Sequence, residues 1–301
     1  MSVMLNEYLK KEYGGKVYKL ALSAVTTCPN RDGKVSFGGC IFCGEEGSGS
    51  FASPVSLNIS EQIEMAKAKI KSKTDADKFI AYFQSFTNTY APKEKLEALF
   101  TPIIQREDIV ALAIATRPDC LPNDVVDLLS KLNKIKPVII ELGLQTIHEN
   151  SAKLINRGYT LPVFEDALLR LKAVNLHTVV HLIVGIPGES KEMIFQTAEY
   201  IARSEADGIK LHLLHVLKNT ELEKMYNSGQ FRTLEKQEYI ELVANIIERM
   251  PKNKVIHRLT GDAPKNLLVA PLWSADKKDV LNSINKYFNE NNVIQGKKYN
   301  N

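Results

Sequence analysis

No stretch of this chain stays apolar for the roughly twenty residues that a bilayer-spanning helix needs. Met1 to Tyr13 has no continuous apolar core of the kind a secretory leader carries, so no export signal is expected. Cysteine is scarce. Four in 301 residues, three of them close together, do not make a disulfide framework. A reducing, cytoplasmic setting without membrane attachment is the expectation. No low-complexity tract or linker composition marks a boundary between independent domains. Neither sign of charge dominates: 39 Lys+Arg against 35 Asp+Glu leave +4, which permits a nucleic-acid partner without requiring one. The lysine runs at Lys67, Lys69, Lys71 and Lys73, and at Lys277, Lys278, Lys297 and Lys298, suit solvated helix faces and tails.

The scarce cysteines are concentrated. Cys28, Cys40 and Cys43 are spaced C-x11-C-x2-C, among Gly33, Gly38, Gly39, Gly44, Gly47 and Gly49. That glycine density argues against a helix or a central strand and suits a loop wrapped closely around something. Sulfur ligands select zinc, copper(I) or an iron–sulfur cluster. Structural zinc is normally closed by four ligands, and no fourth cysteine or histidine lies in this stretch. Three thiolates on a four-iron cluster would leave one iron open to an outside ligand. Zinc completed by a distant histidine, and buried free thiols, remain open on spacing alone. Cys120, far down the chain, reads as a buried, inert thiol.

Around this loop runs a β/α rhythm. Apolar runs at Val17–Val25, Phe79–Phe83, Ile109–Ala115, Val138–Leu144, His177–Val184 and Gly208–His215 alternate with amphipathic stretches. Ile63, Ala66 and Ile70 mark one helix face, with Ser60 as its cap. Val125, Leu128, Leu129 and Leu132 mark another, and Phe164, Ala167, Leu168 and Leu171 a third. The interval of roughly thirty residues is that of a βαβ unit, so six β/α units and a parallel sheet are predicted. Periodicity leaves an open doubly wound sheet and an incomplete barrel undecided. Both gather ligands at the C-terminal ends of the strands. Beyond residue 230, helices at Tyr239–Ile247 and Val280–Phe288 and a further strand at Val255–Leu259 read as an extension (231–301) closing the open side of the core (1–230); Gly296 to Asn301 read as frayed.

The strand ends are polar. Gln84, Thr87 and Asn88 follow the second strand and can hold the polar groups of an amino-acid-like ligand. Thr116-Arg117-Pro118-Asp119 follows the third, where Thr116 or Asp119 can also cap a helix. Glu141, inside an apolar strand that ends at Gln145, needs a partner or a ligand if it is buried. Arg157 follows in Asn156-Arg157-Gly158-Tyr159-Thr160, either on a ligand or on the surface. After the fifth strand, Gly185, Pro187 and Gly188 make a turn a ligand can approach, while His181 reads equally as a core histidine. Lys210 and His212 share one face of the sixth strand; if it faces inward they line the cavity as proton donors or anion partners.

Taken in order, these segments resemble the radical S-adenosylmethionine (SAM) enzymes over nearly the whole chain. The cysteine loop, Cys28-Pro29-Asn30-Arg31-Asp32-Gly33 through Gly39-Cys40-Ile41-Phe42-Cys43, is similar to that of the YhcC/YtqA-type proteins. Its long first gap also resembles that of the elongator catalytic subunit. Thr116–Asp119, Glu141–Thr146, Asn156–Thr160 and Lys218–Leu222 have counterparts in that subunit, and Glu141–Thr146 also in oxygen-independent coproporphyrinogen oxidase. His257–Gly261 and Leu268–Trp273 resemble C-terminal signatures of the YhcC/YtqA group.

The resemblance implies a partial (β/α)6 barrel. It implies a [4Fe-4S] cluster on Cys28, Cys40 and Cys43, with SAM on its open iron. Gln84, Thr87, Asn88, Thr116, Glu141, Gln145, Arg157, Val184 and Pro187 would then be SAM contacts, Val184 to Pro187 near the adenine, with Lys210 and His212 toward the substrate. Reductive cleavage of SAM to a 5′-deoxyadenosyl radical is the implied chemistry, with a one-electron reductant such as flavodoxin or ferredoxin as partner. The YhcC/YtqA resemblance points to tRNA wobble uridine, with conversion of a 5-carboxymethylaminomethyl to a 5-aminomethyl group. No acetyltransferase domain is expected, so no acetyl-derived group would be added. A small-molecule radical SAM substrate and a non-catalytic zinc protein are the alternatives.

Overall fold

The structure is a computed structural model that describes residues 3–25, 27–45, 47, 52–54, 56–71, 74 and 76–299. Gly49, Lys73 and Asn301 lie outside the described residues.

Seven strands form one parallel sheet. They are β1 (Val17–Leu22), β2 (Lys78–Phe83), β3 (Ile109–Thr116), β4 (Val138–Gln145), β5 (His177–Val184), β6 (Gly208–Leu213) and, after a short β7 (Val216–Leu217), β8 (Val255–Arg258). Their spatial order is β1-β2-β3-β4-β5-β6-β8, curled into a half-barrel. β9 (Leu268–Ala270) pairs antiparallel with β7 outside it. The partial barrel is therefore present. The C-terminal extension supplies the seventh strand on the β6 edge.

Alternation along each strand separates two cores. In β3, Leu112 and Ile114 point outward, against α3 (Lys93–Ile104) and α4 (Asn123–Asn133). Ala111, Ala113 and Ala115 point inward and leave the interior room. The outer core continues under α2 (Ile59–Lys71), α6 (Leu161–Ala173), α7 (Lys191–Arg203), α9 (Lys236–Arg249) and α10 (Lys277–Glu290). The inner face is apolar only at its lower end. There Leu5, Tyr8 and Leu9 of α1 (Leu5–Tyr13) pack on Ile80, Ile139 and Val179 and plug the barrel floor. The sequence patterning did not single out this helix.

Some local expectations change. Asn58, not Ser60, caps α2: its Oδ1 accepts from Glu61 N at 3.0 Å and Glu61 returns the bond at 3.0 Å. The sixth strand ends at Leu213, so His215 lies in the following loop. Residues 296–299 are not frayed. Lys298 N donates to Glu248 O at 2.8 Å, and the neighbouring Gln295 is fully buried.

Candidate active site

The three cysteines sit on a loop held from several sides. Arg31 N and Asp32 N turn back onto Cys28 O at 2.8 and 3.2 Å, and Cys43 N bonds Cys40 O at 2.9 Å. Arg31 donates to the carbonyls of Cys43 and Gly44. Gly39, at φ 87°, leaves room for that arginine: a Cβ there would lie 2.9 Å from Arg31 Nε. The Asn156-Arg157-Gly158 segment, which follows α5 (Glu149–Leu154), clamps the other side. Asn156 Nδ2 donates to Gly39 O at 2.8 Å, and Asn30 Nδ2 to Asn156 O at 2.5 Å and Cys40 Sγ at 3.6 Å. Gly158 has φ 81°, and a Cβ on it would meet Asn30 Oδ1 at 2.5 Å.

The loop forms one wall of a cavity of about 170 Å³ at the strand ends. Cys28, Cys40, Cys43, Gln84, Thr87, Thr116, Glu141, Gln145, Arg157, Lys210 and His212 all line it. Asn88, Val184 and Pro187 do not. The Asn88 amide is spent on the carbonyls of Phe83, Ser85 and Ala115 at 3.0, 3.0 and 3.1 Å, tying β2 to β3. Val184 belongs to the outer core, because alternation in β5 turns His181 and Ile183 inward instead. Leu234 fills the space at Gly185 that a ligand was expected to use; a Cβ on that glycine would meet it at 3.1 Å.

Below the mouth lies a buried polar network. Glu141, fully buried, accepts from Lys19 at 2.7 Å, Lys210 at 2.5 Å, Tyr82 at 2.7 Å and His181 at 3.1 Å. Burial raises its pKa, but Lys19, Lys210 and His181 together hold it well below the usual carboxylate range. Burial brings Lys210 down to about 7, helped by Arg258 and Lys19 against the pull of Glu141. Burial takes His181 down to about 4, so it stays neutral at physiological pH. His212 is pushed well below its ordinary value by burial and then by Arg258, whose Nη2 donates to His212 Nδ1 at 2.5 Å.

The arginines after β3 and β4 line the cavity with most of their donors engaged by protein groups. Arg117 holds Asp119 at 2.9 and 2.7 Å and donates to Arg157 O at 2.9 Å; Asp119 lies inside the short turn Pro118–Cys120, and Pro122 rather than Asp119 or Thr116 stands at the N-cap of α4. Thr116 Oγ1 instead lies 2.5 Å from Thr89 Oγ1. Arg157 is buried, not on the surface. It donates to Leu144 O, Thr146 O and Tyr159 O at 3.1, 2.6 and 2.9 Å. Gln145 carries φ 69° beside the register shift between β4 and β5, a strained conformation on the cavity wall. Lys19, Tyr82 and Arg258 were missed at the sequence level. Lys19 and Tyr82 share the inward parity of their strands, a signal that alternation alone carries.

The thiols suit a cluster. All are free, and they face one cavity. A hydrogen bond from Cys43, with Arg117, Asn30 and Arg31, lowers the Cys40 thiol to about 7 against burial, and the same bond raises the Cys43 thiol, so the first proton leaves from Cys40. Among the described residues, no three Cys, His, Asp or Glu side chains gather around one metal ion. The two cavity histidines are engaged by Glu141 and Arg258 instead. Burial first, then Asp119, pushes the Cys120 thiol up, which disfavours its thiolate.

Two family models match the chain: the Radical SAM superfamily over residues 26–201, and the Radical_SAM C-terminal domain over 206–290. The uncharacterized protein YtqA of Bacillus subtilis is 42% identical over 293 residues, covering 97% of this chain and 91% of YtqA. A tRNA uridine(34) acetyltransferase of Methanocaldococcus infernus is 31% identical over 167 residues, which is 53% of this chain and 30% of that protein. The solved structure of the M. infernus Elp3 with an N-terminal deletion superposes with a TM-score of 0.70 at 21% identity. It covers 93% of this chain and 64% of that one, and at that identity it shows the fold alone. The match over more than half of the chain, with the cysteine loop set at the mouth of a parallel half-barrel, places this protein in the Radical SAM superfamily.

Proposed function

We propose that this enzyme modifies the wobble uridine of tRNA, converting a 5-carboxymethylaminomethyl substituent to 5-aminomethyl. The observation that carries this reading is one cavity with free thiols at its mouth and a cationic interior. The likeness to a tRNA uridine(34) acetyltransferase, and the motifs Thr116–Asp119 and Asn156–Gly158, support the tRNA part.

Cys28, Cys40 and Cys43 would hold a [4Fe-4S] cluster, with Gln84, Thr87, Thr116 and Gln145 facing SAM. When bound, cluster and SAM supply hydrogen-atom abstraction with SAM as net two-electron acceptor, so the carboxymethyl unit, one water added, leaves as glyoxylate beside 5′-deoxyadenosine and methionine. Glu141, locked by its four partners, orients Lys210 and His181 rather than a ligand. Lys210 can hold a carboxylate when protonated, and it can lose a proton near neutral pH. Arg157 is a weaker candidate for that carboxylate, because its donors are spent on three backbone carbonyls and on Glu149 at 3.3 Å. The apolar strands and the α1 plug keep water from below. An electron donor of the flavodoxin or ferredoxin class completes the system.

Nucleoside mass spectrometry on a strain lacking the protein tests the reading. Loss of aminomethyl-type uridines with accumulation of the carboxymethylaminomethyl form is expected. An unchanged wobble-uridine profile rejects it.

A further inference from the structure

At the inner end of the cavity, positive charge exceeds negative. One carboxylate, Glu141, serves both Lys19 and Lys210. Arg258 enters the same space from β8, where its Cα pairs in register with that of Lys210. Its Nη2 meets His212 Nδ1 at 2.5 Å and its Nε meets Leu211 O at 3.4 Å. Among the described residues, its Nη1 has no acceptor and no carboxylate pairs with it. A half-buried cation without a counter-ion is costly, and inside an enclosed cavity its field draws an anion. The guanidinium fork matches a carboxylate.

Depth narrows the choice of anion. Lys210 lies mid-strand, below the mouth that the cysteine loop walls. A phosphodiester carries chain on both sides and cannot be threaded there. A terminal carboxylate on a short arm can.

We infer that Arg258 and Lys210 form an anion subsite at the inner end of the cavity, and that it takes a carboxylate carried by the substrate. This rests on the uridine reading above and names the group that selects the substrate. His212 is the positioning residue that holds Arg258.

The test is calorimetry on the cluster-loaded protein, using 5-carboxymethylaminomethyluridine and its methyl ester. The acid should bind about 10- to 100-fold more tightly than the ester, the range of a charge-assisted hydrogen bond. Arg258→Gln should abolish the preference and Arg258→Lys should keep part of it. Equal binding of acid and ester to the unaltered protein overturns the inference, and so does a full preference surviving in Arg258→Gln. Inorganic phosphate displacing the nucleoside better than acetate also overturns it, in favour of a phosphate site. An acid preference alongside an unchanged tRNA profile in the deletion strain would reject the tRNA reading and leave the subsite standing.

Discussion

Replacing Glu141 with Gln should destabilise the protein by an amount that depends on pH. The carboxylate is fully buried and accepts four hydrogen bonds, two of them from lysines. Removing one partner of such a buried ion pair costs ~3–5 kcal/mol, because the remaining charge is left uncompensated. For a domain of this size that lowers Tm by about 6–10 °C. Part of the cost is relieved when Lys210 loses its proton. Its folded pKa is about 7 against an ordinary 10.5, and loss of Glu141 drives it lower still. A lysine whose folded pKa is depressed binds fewer protons folded than unfolded, so stability rises with pH above that folded pKa. In the variant this gain begins below pH 7; in the unaltered protein it begins near 7. The deficit should therefore be larger at pH 5 than at pH 8, by about 1.4 kcal/mol for each unit the Lys210 pKa falls. Thermal unfolding by circular dichroism at the two pH values measures this. A Tm loss under about 2 °C, or an equal deficit at both pH values, would refute the electrostatic reasoning.

Gly158→Ala should push Asn30 away from the cysteine loop, since the new Cβ would fall 2.5 Å from Asn30 Oδ1. Iron bound per chain after anaerobic reconstitution should fall well below that of the unaltered protein. Cys120→Ala should leave iron content unchanged, because that thiol is buried away from the cavity wall. The activity profile should show a limb near pH 7 belonging to Lys210, lost in Lys210→Arg because a guanidinium does not titrate there. Neither cavity histidine should contribute a limb between pH 6 and 8, since burial holds both well below that window.

Six of the seven parallel strands announce themselves as apolar runs, and the seventh as Val255–Leu259, because a sheet covered on both faces needs little polar alternation. The cysteine loop is legible from spacing and glycine. Lys210 and His212 are legible as one face of a strand, although which face looks inward is fixed only by the curl of the sheet. Val184 shows the limit of reading by motif. Its position in the chain suits a ligand, but its parity turns it into the outer core while Ile183 faces the cavity. Asn88 and Arg157 look like ligand residues because they are polar. The structure shows their donors committed to backbone carbonyls brought together by tertiary folding. Arg258 was hidden by sequence distance, since it meets Lys210 only through the β6–β8 pairing.

Anaerobic reconstitution, followed by assay of SAM cleavage with a strong reductant, puts the cysteine loop to the test. About four iron per chain, with 5′-deoxyadenosine formed from SAM and both lost in Cys40→Ala, is the predicted result. Stoichiometric zinc with no deoxyadenosine would contradict it and make the loop a structural one.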